Sequence, residues 1–327
     1  MGMMIDGVWT QEQPGRNKDG KFVRRPSVFR DRVTADGSSG FKAEAGRYHL
    51  YVCYACPWAH RTMIFRALKG LEDVISLSPV DPVQNDEGWE FSAAYPDPLF
   101  GFERMHQLYS KVDAKYTGKI TVPVLWDKQT ESIVNNESSE IIRMLNSEFN
   151  ALARNPELDL YPADLRDEIE RVNDPVYTKV NNGVYRTGFA STQEAYEEAF
   201  DSLFGALDDL EETLSRQRYL AGDRITEADW RLFPTLLRFD PVYVGHFKCN
   251  KKRIVDYPNL WSYIRAMYQT PGIAETVHMD HIKDHYYKSH PHINPTGIVP
   301  RGPEIDFAAP HDRDEKFGGT NDRNHAA

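Results

Sequence analysis

The side chains whose type and spacing could do chemistry are cysteines, tyrosines and histidines, and one cysteine stands apart. Cys56 stands directly before Pro57, where a helical pattern begins (CPWAHRTMIFRAL, residues 56–68). Proline is tolerated at the first helical position because its missing N–H would have had no partner there, so Pro57 sets Cys56 at or beside the N-cap. A thiol there faces backbone N–H groups and the positive end of the helix dipole, both of which favour thiolate over thiol. Cys56 is therefore the candidate nucleophile. Cys53 and Cys56 also spell C-x-x-C, the pattern of a redox dithiol in a cytosolic βαβ unit. In such dithiols the first cysteine starts the helix and the second lies one turn inside, but three residues beyond Cys56 stands Ala59. Cys53 lies back on the preceding strand, so the register favours a single working thiol. Cys249 has no comparable context and reads as a buried apolar residue.

A thiol without an internal resolving partner needs an external one, and glutathione is the abundant cytosolic choice. The run Asn136-Glu137-Ser138-Ser139 opens a second helix, whose N–H groups suit a carboxylate while Glu137 suits an amine. Both groups occur on a γ-glutamyl end. Read alone, the same residues serve equally as an ordinary helix cap. Val122, before Pro123, would present its backbone to the cysteinyl part in an extended pairing. Tyr185, Tyr243 and Tyr286 fall in the second half of the chain, and each alone reads as a core or rim aromatic. His281 and His285 are four apart with His278 on the same face, which makes a three-ligand metal site geometrically available. His290 and His292 follow. No cysteine or carboxylate pattern accompanies these histidines, and the expectation is no metal.

The elements that must position these residues follow from periodicity. The first part of 48–68 alternates as a half-buried strand until Ala55-Cys56-Pro57 breaks the pattern, the residues after it form a helix stopped at Gly70, and 74–80 form a second strand, parallel to the first if the helix is a crossover. Residues 81–119 form a long insertion, of the kind that is more often functional than not. Residues 120–126 read as a strand whose Pro123 must sit at an edge, a bulge or a cis turn. A short strand at 132–135 and a helix from 136 with apolar Ile141, Ile142, Leu145 and Phe149 complete an α/β unit. Beyond about 155 only helical signals appear. Ser191-Thr192-Gln193-Glu194 reads as a capping box before the stripe Tyr196, Phe200, Leu203, Leu207, Leu210 and Leu214. Thr226 to Asp229 reads as another before 230–239, where Pro234 should kink the helix. Helices fit 260–268 and 277–287. Residues 1–46 read as a loop-rich arm without its own core, and those beyond Pro291 as an extended, partly disordered tail.

Composition limits the class. The 327 residues suffice for two domains plus arms. A net charge of -10, from 39 basic and 49 acidic residues, argues against nucleic acid or an anionic membrane as main partner. Three cysteines cannot build a disulfide framework. No apolar run approaches a membrane span and no signal segment opens the chain, so a soluble cytoplasmic protein is expected.

The β-α-β, insertion, β-β-α order, the strand-borne proline, the Glu-Ser pair and the helical second half together resemble a glutathione transferase. The run YLAGDRITEADWRLF (219–233) is similar to the capping segment of that superfamily's helical domain. CPWAHR (56–61), NNGVYRTGFA (181–190), RFDPVYVGHFKC (238–249) and INPTGIVPRGP (293–303) resemble the Xi class, the glutathionyl-hydroquinone reductases. The resemblance implies an α/β thioredoxin-like N-terminal domain plus an all-α C-terminal domain. The expected division is an arm at 1–46, a glutathione-binding domain at 47–150, a helical acceptor-binding domain at 151–290 and an extension at 291–327. It implies a catalytic Cys56, glutathione held by Val122, Glu137 and Ser138 with Trp89 as a wall, an acceptor pocket of Tyr185, Tyr243 and Tyr286, and a homodimer. The expected reaction is glutathione-dependent reduction of glutathionyl-hydroquinones through a Cys56-glutathione mixed disulfide. Two rivals share parts of the pattern: an omega-like thiol transferase or dehydroascorbate reductase, and a non-catalytic interaction module of the same fold.

Overall fold

The computed structural model describes residues 2–11 and 19–318; the remainder of the N-terminal arm and of the C-terminal extension lies outside the described residues. In chain order the elements are β1 (Met3–Ile5), β2 (Val8–Thr10), β3 (Val33–Thr34), β4 (Phe41–Lys42), β5 (Tyr48–Val52), α1 (Pro57–Leu68), β6 (Ser76–Pro79), α2 (Met105–Val112), β7 (Val124–Asp127), β8 (Ser132–Asn135) and α3 (Ser138–Ser147). There follow α4 (Arg166–Pro175), α5 (Gly183–Gly188), α6 (Gln193–Arg216), α7 (Glu227–Arg238), α8 (Pro258–Tyr268), α9 (Met279–Ser289) and α10 (Arg313–Phe317). Among the described residues no helix is long and apolar enough to cross a membrane. Two compact units emerge. The first holds the described residues up to 11 with Arg25–Pro156 and Thr276–Val299, and the second holds 19–24, Glu157–Glu275 and 300–318. In this grouping α9 falls with the sheet.

The first unit is built on a four-stranded sheet in the order β6-β5-β7-β8, with β5 and β6 parallel and β7 antiparallel to both its neighbours. The apolar and polar alternation of β5 predicts a half-buried strand, yet all five of its residues are buried. An interior strand explains the difference. Tyr48 meets Phe149 at the end of α3 on one face, while on the other Tyr51 packs on Phe91 and donates its hydroxyl to Asp97 Oδ1 at 2.8 Å. Asp97, buried in the insertion, also accepts the N–H groups of Leu99, Phe100 and Phe102, so the insertion is a knitted lid on β5 that leads into α2. The helix α2 gave no sequence signal. α1 ends as Gly70 predicts: with Gly70 at φ +64°, its N–H reaches Ala67 O and that of Leu71 reaches Arg66 O, the two bonds of a Schellman motif. The expected strand at 120–126 starts only after its proline, at Val124, and the Val122–Pro123 bond is cis.

In the second unit, α6 begins one residue later than the predicted capping box, with Thr192 as N-cap accepting from Ala195 N–H at 3.2 Å. Its buried stripe runs through Ala195, Ala199, Leu203, Leu207 and Leu214, leaving Tyr196, Phe200 and Leu210 half-buried. The Thr226–Asp229 box forms as read. Asp229 is fully buried and accepts from Leu220 N, Thr226 N and Oγ1 and the Tyr263 hydroxyl, yet burial outweighs these bonds and holds its pKa above the usual carboxylate value. Pro234 lies inside α7, and Asn181 serves that helix by donating Nδ2 to Arg231 O at 3.2 Å and Thr235 Oγ1 at 2.7 Å. Two π-helical turns, Val176–Asn181 and Phe239–Tyr243, interrupt the helical run. The described part of the C-terminal extension is not loose. Arg313, 1% exposed, donates to the carbonyls of Leu214, Gln217 and Arg218 and so closes the C-terminus of α6.

Candidate active site

Cys56 is the N-cap of α1, in extended conformation (φ −73°, ψ 121°), with Pro57 as the first helical residue. The turn before it closes through Cys56 N–H to Cys53 O at 3.0 Å, and His60 N–H returns to Cys56 O at 2.9 Å. Cys56 is partly exposed, whereas Cys53 and Cys249 are buried. Burial pushes the Cys249 thiol far above its usual pKa, against the hydrogen bond from Thr187 and the Lys248 charge, which makes it inert. Cys56 Sγ lies 3.6 Å from the carbonyl oxygen of Val122, to which the thiol donates. Helix start and cis-proline turn thus come together from positions 66 residues apart.

Beside this corner, Glu137 is the N-cap of α3 and Ser138 its buried first residue. Glu137 Oε1 accepts from Ser139 N at 3.1 Å and Ser139 Oγ at 2.8 Å, and Oε2 from Ser27 Oγ at 3.0 Å. The Glu137 N–H is itself taken by Asn135 Oδ1 at 2.7 Å. The pair is therefore a real helix cap, and the cap leaves a partly exposed carboxylate held in place.

Trp89 is pinned in the insertion, its carbonyl accepting from Met105 N at 3.0 Å, and its ring stacks on His285 at 5.0 Å. His285 in turn is fixed through Nδ1 to Pro82 O at 2.8 Å. α9 also reaches the turn before Cys56: His278, its N-cap, stacks on Tyr54 with centroids 3.8 Å apart, and His281 Nε2 bonds the Tyr95 hydroxyl at 2.8 Å. Burial lowers the His278 pKa, with His281 adding to the effect and Asp280 opposing it, and burial raises that of Tyr54. Both rings are neutral near neutral pH. Among the described residues no group of three or more His, Cys, Asp or Glu could hold a metal ion. Tyr286 is buried in α9, its ring edge-on to those of His285 and His290, which also meet each other.

In the second unit the rings of Tyr185 and Tyr243 meet with centroids 6.1 Å apart, whereas Tyr286, expected in the same helical half, belongs to the first unit. Phe247 joins both, stacked on Tyr243 at 5.5 Å and edge-on to Tyr185 at 5.5 Å. Tyr243 ends a π-helical turn, a feature frequent at functional sites. Sequence reasoning missed Arg24, whose guanidinium sits 5.2 Å over the Tyr185 ring and donates Nε to Asn182 Oδ1 at 2.8 Å. It missed Ser27 as well. Neither carries a local signal, since their partners lie more than a hundred residues away.

Comparison with known proteins assigns this architecture. The family profile "Glutathione S-transferase, N-terminal domain" matches residues 55–148, and "Glutathione S-transferase, C-terminal domain" matches 193–266. Glutathionyl-hydroquinone reductase YqjG of Escherichia coli K12 is 52% identical over 97% of this chain and 100% of its own, and its glutathione-bound structure superposes with a TM-score of 0.89. Glutathionyl-hydroquinone reductase PcpF of Sphingobium chlorophenolicum is 53% identical over 93% of this chain and 96% of its own. The Xi-class transferase of Natrialba magadii gives a TM-score of 0.91 at 50% identity, over 96% and 97% of the two chains. The chain belongs to the glutathione transferase superfamily and, within it, to the Xi class of glutathionyl-hydroquinone reductases.

Proposed function

We propose that this protein reduces glutathionyl-hydroquinones to hydroquinones at the expense of glutathione. The observation that carries the reading is Cys56 at the start of α1, its sulfur 3.6 Å from the Val122 carbonyl at the cis-proline turn. The Cys56 thiolate attacks the sulfur joining glutathione to the ring. The sulfur–carbon bond breaks, its electron pair stays with the ring carbon, which takes a proton, and the hydroquinone leaves. Cys56 is then in a mixed disulfide with glutathione. A second glutathione, as thiolate, attacks the glutathionyl sulfur, releasing oxidised glutathione and restoring the Cys56 thiolate. The ring is reduced by two electrons and two glutathione sulfurs are oxidised to one disulfide. Glu137 takes the γ-glutamyl amine, Ser138 and the start of α3 its carboxylate, the Val122 backbone the cysteinyl part, and Trp89 forms a wall. To Tyr185, Tyr243 and Tyr286 we assign the hydroquinone hydroxyls and the charge that develops as the ring is protonated. Residues 47–150 and 151–290 are the glutathione and acceptor halves of the reading. A homodimer in the cytoplasm completes it, and light scattering tests the former.

The decisive experiment mixes the protein with a glutathionyl-hydroquinone and excess glutathione, beside Cys56→Ser. Free hydroquinone and oxidised glutathione are expected with the unsubstituted protein alone. Release of hydroquinone by Cys56→Ser at an undiminished rate would remove the mechanism. Reduction of a simple glutathione mixed disulfide without any hydroquinone release would make the protein a general thiol transferase.

A further inference from the structure

We propose that Ser27, in the N-terminal arm, is a positioning residue of the glutathione subsite that acts through the Glu137 carboxylate; the inference rests on reading Glu137 as the partner of the γ-glutamyl amine. A carboxylate offers about four lone-pair directions over its two oxygens. Two on Oε1 are taken by Ser139 N and Oγ, at 3.1 and 2.8 Å, from Glu137's own helix start. Those bonds tether one oxygen and leave the carboxylate free to swing about it. Ser27 Oγ, 3.0 Å from Oε2, supplies the third bond and fixes the direction of the remaining lone pair. All three donors are uncharged. The nearby guanidinium of Arg30 gives its hydrogen bonds to Glu140 as a two-point fork, through Nε to Oε2 at 2.7 Å and Nη2 to Oε1, and acts on Glu137 only through its charge. An oriented carboxylate with a lone pair still open suits an incoming ammonium, because the ordering of the side chain is completed before the ligand arrives.

Ser27 can do this because its segment is held. Phe29 N donates to Asn136 Oδ1 and Asn136 N to Phe29 O, each at 3.1 Å, while Asn135 Nδ2 donates to Asp31 O at 3.0 Å. The Phe29 ring packs against Tyr109 and Tyr116 at 5.7 and 5.9 Å. The single Ser27 hydroxyl proton is also within reach of Asn136 O at 3.2 Å, the longer of its two contacts, so the arm meets both the backbone next to Glu137 and its side chain.

The test is glutathione binding by calorimetry for the unsubstituted protein, Ser27→Ala, Ser27→Thr, Glu137→Gln and the double variant Ser27→Ala/Glu137→Gln. Ser27→Ala is expected to raise the dissociation constant roughly fivefold, because the ligand must then order the freed carboxylate itself. Ser27→Thr, which keeps the hydroxyl, should restore it. In the Glu137→Gln background Ser27→Ala should add almost nothing, because its partner is already altered. A merely structural Ser27 would weaken binding equally in both backgrounds, and that result overturns the proposal, as does a Ser27→Ala constant equal to the unsubstituted one while Glu137→Gln weakens. If Glu137→Gln itself binds glutathione unchanged, the reading of Glu137 falls and the role of Ser27 falls with it.

Discussion

Cys56 differs from the other two cysteines in two physical respects that reinforce one another, exposure and position on a helix start. Brief treatment of the native protein with iodoacetamide should therefore label Cys56 alone, and unfolding should expose all three thiols; mass spectrometry of the digested protein reads the sites. Early labelling of Cys249 would contradict its burial. A second residue-scale prediction concerns Gly188. A Cβ there would lie 2.1 Å from Phe247 Cγ, and that ring has no room to retreat, being packed against Tyr185, Phe189 and Tyr243. Gly188→Ala should cost about 1–3 kcal/mol, seen as a lower urea midpoint, through overpacking of the aromatic cluster. An unchanged midpoint would mean that the cluster is looser than its ring distances indicate. At this scale the sequence was legible where the cause is local. Pro57 alone locates Cys56 on its helix, but nothing near Ser27 in sequence announces Glu137, and nothing near Arg24 announces Tyr185.

Among elements, β5 shows where periodicity misleads. His49 and Tyr51 look like the wet side of a half-buried strand, but the insertion covers that side, and His49 is 1% exposed with Nδ1 2.7 Å from Ser76 Oγ. Burial, with the charges of Lys128 and Arg66 adding to it and Asp97 opposing, lowers the His49 pKa from 6.5 to about 4. A depressed imidazole pKa means the unfolded chain binds the proton first, so stability rises with pH across this window and is lost as pH falls from 6.5 towards 4. The full difference is on the order of 3 kcal/mol. Urea unfolding at pH 7, 5 and 4 should show a steeper loss for the unsubstituted protein than for His49→Gln. Parallel curves would mean that His49 is protonated without disturbing the sheet. The caps, by contrast, were readable to within a residue: the Thr226–Asp229 box formed as spelled, and the α6 box moved by one because Thr192 rather than Ser191 meets the N3 amide. Cap signals are local hydrogen bonds; strand exposure depends on what the rest of the chain lays over it.

For the whole molecule the least legible feature is how the chain is shared between its units. Each is assembled from three stretches of sequence, so the sheet includes no α9 in any contiguous reading, and the helical unit needs 300–318. Composition made that last stretch look like an unstructured tail, since it is polar and rich in Pro, Gly and Asp. What holds it is specific bonding instead of apolar burial. Arg313 Nη1 donates to Leu214 O at 2.7 Å, and Nη2 to Gln217 O and Arg218 O at 2.6 and 2.5 Å, which satisfies carbonyls that the end of α6 leaves without helical partners. Arg218 answers by donating to Arg313 O at 3.1 Å and pairing with Asp314 at 2.5 Å, and Gln269 donates to Phe307 O and Ala309 O. Arg313→Met keeps much of the side-chain volume but removes every one of its donors. It should cost about 2–5 kcal/mol of unfolding free energy, because buried carbonyls lose their partners together. It should also make 300–318 the first site of limited proteolysis, since little apolar surface remains to hold that stretch against α8. If Arg313→Met unfolds at the same urea concentration as the unsubstituted protein and is cut no faster there, the extension is held by the Phe307 contacts to Trp261 and Tyr268, and the guanidinium only accompanies them.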